Sequence, residues 1–389
     1  MNDVAGTICQ GLIAGGHPPA AASVAAAAAV VATASAAAAD ADDDDDSPSE
    51  LLAPLLEEWS DVLVKHVLER LDPTDCAMLA RVAKPWLAVV VANNLPRAGK
   101  GGAVPLKLVD FVGSVGRLAW AHANGCPWMA RTCGRVARGG DLEALQWARA
   151  HGCPWDARAC MRAASCGHLD VVEWLIATGT DVNYTRPRHG TTAVYVAAQN
   201  VHLDVVELLI NAGADVNIAC THNGATPLNV AARNGDTDVV ARLVDAGADV
   251  DIARTDNGVT PLLTAAERGH LDVVGRLIDA GADVGIACTD TGATPLLAAA
   301  LYGYTDVVER LTAAPGVDVN QASPTGSAPL FIAAHKGHLD VVERLLAAPG
   351  VDINQACLDG TTPLSTALFN RHAEVAQKLR AAGATEPHG

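Results

Sequence analysis

Among ten cysteines in 389 residues there is no Cys-x-x-Cys pair, so the ligand spacing of the common zinc sites is missing. His-Glu-x-x-His and Gly-x-Ser-x-Gly are absent too. Gly99-Lys100-Gly101 has neither the spacing nor the hydroxyl of a phosphate loop. With no constellation for catalysis, the sequence predicts a protein that is not an enzyme and takes no metal or cofactor. Residues 1–60 contain ten acids and no Lys or Arg. No basic region precedes the alanine tract around Ala20–Ala39, which argues against a signal peptide, and the lack of Arg argues against a transit peptide. Alanine is too weakly apolar for this tract to span a membrane. With Asp42–Asp46 it predicts a disordered tail over 1–50, no membrane contact, and a cytoplasmic or nuclear location.

The formal charge of −17 is zoned. Residues 61–189 hold eleven acids and sixteen bases, and residues 190–389 hold twenty-three acids and eleven bases. A net-acidic region does not suit a phosphate backbone, so no nucleic acid is expected there. Residues 93–140 are basic. Trp120 and Trp128 recur with a repeat rather than forming a stacking platform, which favours a solvated face or a contact with the Asp42–Asp46 run.

What the chain has in abundance is repetition. Gly190, Gly224, Gly258, Gly292, Gly326 and Gly360 fall 34 residues apart, and Thr226-Pro227-Leu228 or a near relative follows at a fixed offset. A period of this size marks one supersecondary unit stacked on itself. In the copy from Gly224 to Asn257, Thr226 can cap a helix with Pro227 at its first position. Leu228, Ala231 and Ala232 form a stripe, and Asn234-Gly235-Asp236 breaks the run. Val239, Val240, Leu243 and Val244 recur at helical spacing, and Gly247 can end that second helix in a left-handed conformation. Ala328 lacks the capping hydroxyl.

This unit resembles the ankyrin repeat, through Thr-Pro-Leu, through Gly269-His270-Leu271-Asp272-Val273-Val274 and Gly337-His338-Leu339-Asp340-Val341-Val342, and through the Gly-Ala-Asp-Val stretches. The family's His after Leu is replaced by Asn229, Leu263, Leu297, Phe331 and Ser365, which leaves open how neighbouring loops are joined. Upstream, Trp120, Trp147 and Trp174 are 27 residues apart, as are Cys126-Pro127-Trp128 and Cys153-Pro154-Trp155. These look like shortened, degenerate ankyrin units. The resemblance implies an all-α solenoid from about Val112 to Ala384, degenerate over 112–189 and regular over 190–389, acting as a monomer. Glu374, Gln377, Lys378 and Arg380 suit a terminal cap. Cysteines at equivalent places in successive units lie roughly 10 Å apart, too far to bridge, which predicts free thiols in a reducing compartment. His168, His202, His270 and His338 share one turn position and read as structural.

Residues 51–92 break both periods, before a linker of 93–111. Their three-helix pattern resembles an F-box on Leu63, Val67, Leu68, Leu71, Asp72, Pro73, Asp75, Val82 and Trp86, and departs from it at Trp59, Ser60, Cys76 and Ala83. The resemblance implies that Leu63, Val67, Leu68, Leu71 and Pro73 dock the adaptor of a cullin-RING ubiquitin ligase. The alternative is that these helices cap the solenoid.

In ankyrin proteins the loop tips and the two residues after the paired alanines line a concave face that holds a protein partner. Carried over, the tips are His222, Asn223, Asp256, Asn257, Asp290 and Thr291. The helix positions are Arg233, Asn234, Glu267, Arg268, Leu301, Tyr302, His335 and Lys336. Leu301-Tyr302-Gly303-Tyr304 is the sharpest candidate anchor, because exposed Tyr favours interface hot spots. The implied function is protein recognition, most concretely as an F-box type substrate receptor. A scaffold or inhibitor without a ligase is the alternative.

Overall fold

A computed structural model describes residues 114–123, 128 and 130–385. The expected tail, the 51–92 module with Leu63, Val67, Leu68, Leu71 and Pro73, and the 93–111 linker lie outside the described residues. Contacts group the chain into one unit of residues 1–108 and 122–127 and a second of 109–121 and 128–389. The repeat array is the second.

Every regular element among the described residues is a helix. In order they are α1 (Val115–Ala123), α2 (Ala130–Arg138), α3 (Leu142–Ala150), α4 (Arg158–Ser165), α5 (Leu169–Ala177), α6 (Ala193–Gln199), α7 (Leu203–Asn211), α8 (Pro227–Asn234) and α9 (Thr237–Asp245). Then follow α10 (Pro261–Arg268), α11 (Leu271–Asp279), α12 (Pro295–Tyr302), α13 (Thr305–Thr312), α14 (Pro329–Lys336), α15 (Leu339–Ala347), α16 (Pro363–Phe369) and α17 (Ala373–Ala381). From α2 onward the even-numbered helices stack in one row. From α5 onward the odd-numbered helices stack in another, and each even helix packs on its odd partner. The all-helical solenoid expected from the 34-residue period is what forms.

Local chemistry explains each boundary. The Thr226 hydroxyl accepts the Asn229 N–H at 3.3 Å, and Asn229 Oδ1 accepts the Thr226 N–H at 2.8 Å. That closes a reciprocal cap on α8, with Pro227 at its first position. Gly235 ends α8 at φ 79°. Thr362 closes the same reciprocal cap with Ser365, Thr260 and Thr294 cap their helices through the hydroxyl alone, and α14 starts from Ala328 with no side-chain cap. The Leu228-Ala231-Ala232 stripe and Val239, Val240 and Leu243 are fully buried. Two alanines per even helix let the next helix approach closely, and the Val-Val-x-x-Leu face of the odd helix seals the seam.

Side-chain ladders tie one unit to the next. His168, His202, His270, His338 and His372 each donate from Nε2 to a carbonyl of the preceding unit, for example His168 to Arg138 at 2.8 Å and His372 to His335 at 3.1 Å. Their rings lie where a Cβ at the preceding turn glycine would stand, as His270 does over Gly235. The expected structural role of these histidines holds. Asp236 takes the histidine's place in one unit, and there Asn234 Nδ2 reaches the equivalent carbonyl, that of Gln199, at 2.7 Å. On the opposite edge, Asn183, Asn217, Asn320 and Asn354 accept a backbone N–H from the next unit at 2.7–2.9 Å.

The short units close differently. Trp128 meets Trp147 with ring centroids 6.2 Å apart, and Trp155 meets Trp174 at 5.5 Å. The described cysteines are free thiols. Comparing equivalent positions alone missed one contact, however. Cys133 on α2 hydrogen-bonds Cys153, which opens the following unit. That bond, followed by burial, holds the Cys133 thiol protonated far above its usual range. The expected terminal cap is polar on α17 only. Glu374, Gln377, Lys378 and Arg380 are exposed there, but Phe369 on α16 is 85% exposed and Leu358 81%.

Candidate protein-binding surface

A tight loop joins each odd helix to the next even one, and the expected recognition residues sit on these loops and on the ends of the even helices. Cys220 N donates to Ala225 O and Gly224 N to Cys220 O, both at 2.9 Å. Gly224 has φ 71°, and a Cβ there would stand 2.6 Å from the Thr255 nitrogen of the next loop. Glycine is required because one loop rests directly on another. Thr221, Thr255 and Thr289 donate their N–H to His189, Asn223 and Asn257 of the preceding loop at 2.8–2.9 Å.

The structure sorts the expected residues into two kinds. Asn223 Oδ1 accepts from Ala225 N at 3.1 Å and Cys220 Sγ at 2.7 Å. Asn257 Oδ1 accepts from Val259 N at 3.2 Å, and Thr291 Oγ1 from Ala293 N at 3.3 Å. These three staple their own loops, and Asn234 is committed to the Gln199 carbonyl. His222, Arg233, Arg268, Asp290 and Lys336 are exposed. Asp256 is exposed and forms a two-point pair with Arg254, at 2.6 and 3.2 Å. Hydrogen bonds from Cys288 and Thr291 hold the Asp290 carboxyl below its usual range. Glu267 is half-buried. Burial raises its carboxyl, Arg268 and Arg254 oppose the rise, and Asp290 adds to it.

The aromatic segment divides in the same way. Tyr302 is 53% exposed. Tyr304 lies 6.1 Å from it, ring to ring, but occupies the histidine's place, over the Gly269 turn. It is therefore a scaffold residue in part. Leu301 is half-buried, and its carbonyl accepts from His338 at 3.2 Å. His335 is exposed, stacks on Phe331 at 6.2 Å and 14°, and places Nδ1 3.0 Å from Thr366 Oγ1.

Sequence reasoning missed Phe369 and Leu358. Phe369 is the next member of the 34-residue column Arg233, Glu267, Leu301, His335, so extending that column by one unit would have found it. Tyr195 was missed as well. Burial and a hydrogen bond with Cys220 push its phenol up to about 12.

The surface is a face rather than a pocket. The best-formed depressions, beside His202 and beside Trp155, hold about 270 and 230 Å³, less than the roughly 300 Å³ from which enclosed small-molecule sites begin. No group of His, Cys, Asp and Glu suited to a metal occurs among the described residues, and none of their helices is long and apolar enough to cross a membrane.

A family model described as ankyrin repeats (three copies) matches residues 135–220, 160–254, 228–323 and 296–387. Among solved structures, the chain is similar to the ankyrin repeat domain of Bcl-3, described as a unique member of the IkappaB protein family. The identity is 26% and the TM-score 0.51, over 57% of this chain and 97% of that one. It is also similar to the ankyrin repeat domain of human ASB11, at 25% identity and TM-score 0.50, over 59% and 99% of the two chains. No curated protein sequence matches it.

Proposed function

The chain belongs to the ankyrin-repeat family, and from that premise we propose that it recognises a protein through the even-helix row and the loop tips, taken as a concave face. One observation carries this reading. The Ala-Ala pairs are buried identically in successive units, while the two positions after them are exposed or half-buried and change from Arg-Asn to Glu-Arg, Leu-Tyr and His-Lys. A scaffold held constant beneath a variable surface suits recognition.

The more specific proposal is a substrate receptor of a cullin-RING ubiquitin ligase, and it rests on the F-box resemblance of residues 51–92. The receptor would supply proximity and no catalytic side chain. Affinity purification of the full chain, probed for the ligase adaptor, tests it. The adaptor should co-purify and be lost from Val67→Asp/Leu68→Asp, while the helical circular dichroism of the array is unchanged. If the adaptor never co-purifies, the chain is a scaffold or inhibitor with no ligase role.

A further inference from the structure

The formal charge of −17 conceals a division between the two rows of helices. Odd helices from α5 to α15 each carry an Asp in the first turn. Their arginines are taken up by acids of the preceding unit, Arg276 by Asp245, Arg310 by Asp279 and Arg344 by Glu309. The even row has the opposite sign. The helices of that row carry one acid, Glu267, against Arg135, Arg138, Arg158, Arg162, Arg233 and Arg268, and Asp156 just before α4 pairs with Arg158 at 3.4 Å. Helices α2, α4, α6 and α8 carry no acid at all, and Arg186 and Arg188 lie on the loop leading into α6. Arg135, Arg138, Arg158 and Arg188 are exposed, and the stem of Arg162 lies across Gly134 of the preceding unit. Beyond Glu267 the same columns present Leu301, Tyr302 and Phe369, interrupted on α14 by His335 and Lys336, with Leu358 exposed on a loop.

On the reading that the array binds a protein, we infer that the even row takes one extended partner segment, acidic where it crosses α2 and α4 and apolar where it meets Tyr302 on α12 and Phe369 on α16. Packed helices stand roughly 8–10 Å apart, so the four steps from α4 to α12 span about 32–40 Å. An extended chain covers that in about 10–12 residues. The charge order also separates this occupant from a nucleic acid. Asp256, Glu267 and Asp290 stand between the arginines and the aromatics, and a continuous polyanion would have to pass them. A peptide that is acidic at one end only avoids that repulsion and meets Tyr302 and Phe369 with side chains of matching chemistry.

Fluorescence anisotropy on the full chain tests this with labelled synthetic peptides: a glutamate block joined by a Gly-Ser spacer of about ten residues to a Leu-Phe block, each block alone, and a neutral scramble. The two-block peptide should bind at least roughly tenfold more tightly than either block alone, and shortening the spacer to two residues should remove that gain. Arg135→Glu/Arg162→Glu should weaken it by about tenfold or more and flatten its salt dependence. Because Arg162 is partly packed, Arg135→Gln/Arg188→Gln, at exposed positions, must show the same flattening. Tyr302→Ser/Phe369→Ser should weaken binding comparably and leave the salt dependence intact. Equal affinity for the scramble, or tighter binding of a single-stranded oligothymidine, overturns the inference. Protein binding of another chemistry would then still be read by crosslinking the array to a captured partner, so the two failures are distinct.

Discussion

The 27-residue units and the 34-residue units solve one packing problem with different parts. Both stack an even helix on an odd one and bury a small-residue stripe between neighbours. The long unit adds a loop whose glycine lets it rest on the next loop, and it starts its even helix with a threonine cap. The short unit lacks these. Helix α4 has no side-chain cap at Ala157, and a Trp–Trp contact closes the unit instead. A helix pair is thus the minimal repeat, and the loop is an addition that brings exposed tips and inter-unit hydrogen bonds together.

The largest expected effect compares the same core position in the two kinds of unit. Leu262 and Cys160 both follow the even-helix start and are buried. Leu262→Ala should cost about 3 kcal/mol in urea unfolding, because several methyl-sized groups leave a cavity. Cys160→Ala removes a single sulfur and should cost about 1 kcal/mol. Equal costs would mean that the short units share the long units' core.

A smaller effect separates glycines. At Gly258 (φ 71°) a Cβ would meet Thr289 N at 2.8 Å, whereas at Gly247 (φ 86°) it meets nothing within 4 Å. Gly258→Ala should therefore cost about 2–3 kcal/mol and Gly247→Ala about 1 kcal/mol. The difference isolates the contact of one loop with the next, which the short units do without.

Alkali should act first where short and long units meet. Burial pushes the Cys160 thiol up to about 12, and burial with the Cys220 contact does the same for the Tyr195 phenol. A folded-state pKa above the unfolded value, near 9 for Cys and 10 for Tyr, means that the stabilisation is complete below pH 9. It is lost as pH rises toward 12. Tyr195→Phe should keep more of its melting temperature between pH 10 and 12 than the parent chain. An unchanged alkaline profile would place Tyr195 outside the cooperative unit.

Much of this was legible in the sequence because each local signal has one physical meaning. Thr226-Pro227 can only begin a helix, Gly235 and Gly247 can only end one cheaply, and Val239, Val240 and Leu243 face one way. What stayed hidden depends on contacts between inequivalent positions. The Cys133–Cys153 bond, the Asn234 substitute for the missing histidine and the Tyr304 ring over Gly269 are of this kind. The regular glycine period also conceals a compensated shift. Gly285 and Asn320 occupy the same turn place, each N–H bonded to an Asp two residues back, yet they are 35 residues apart. Gly326 N bonds Ser323 O, three residues back, where Gly292 N bonds Cys288 O, four back. One residue is gained before Gly316 and one lost before Gly326, so the period returns to 34. Pro324 then stands where Thr289 stood and has no N–H to offer the preceding loop. Charge segregation between the rows was equally invisible in zone totals, because it alternates helix by helix.

The smallest effects should show how each kind of unit fastens its odd helices. In the long units Arg310 pairs with Asp279 of the preceding unit, an ion pair at the surface worth about 0.5 kcal/mol. In the short units Arg149 instead lies 5.1 Å over the Trp155 ring of the following unit, a cation–π contact worth about 0.5–1 kcal/mol. Arg310→Ala should lower the melting temperature by only about 1–2 °C, and the loss should shrink in 0.5 M NaCl as salt screens the pair. Arg149→Ala should cost as much or slightly more, and its loss should persist in the same salt because the packing of its stem on the indole is not screened. Matching salt responses would mean that both arginines act as plain surface charges, and the distinction between the two fastenings would fail.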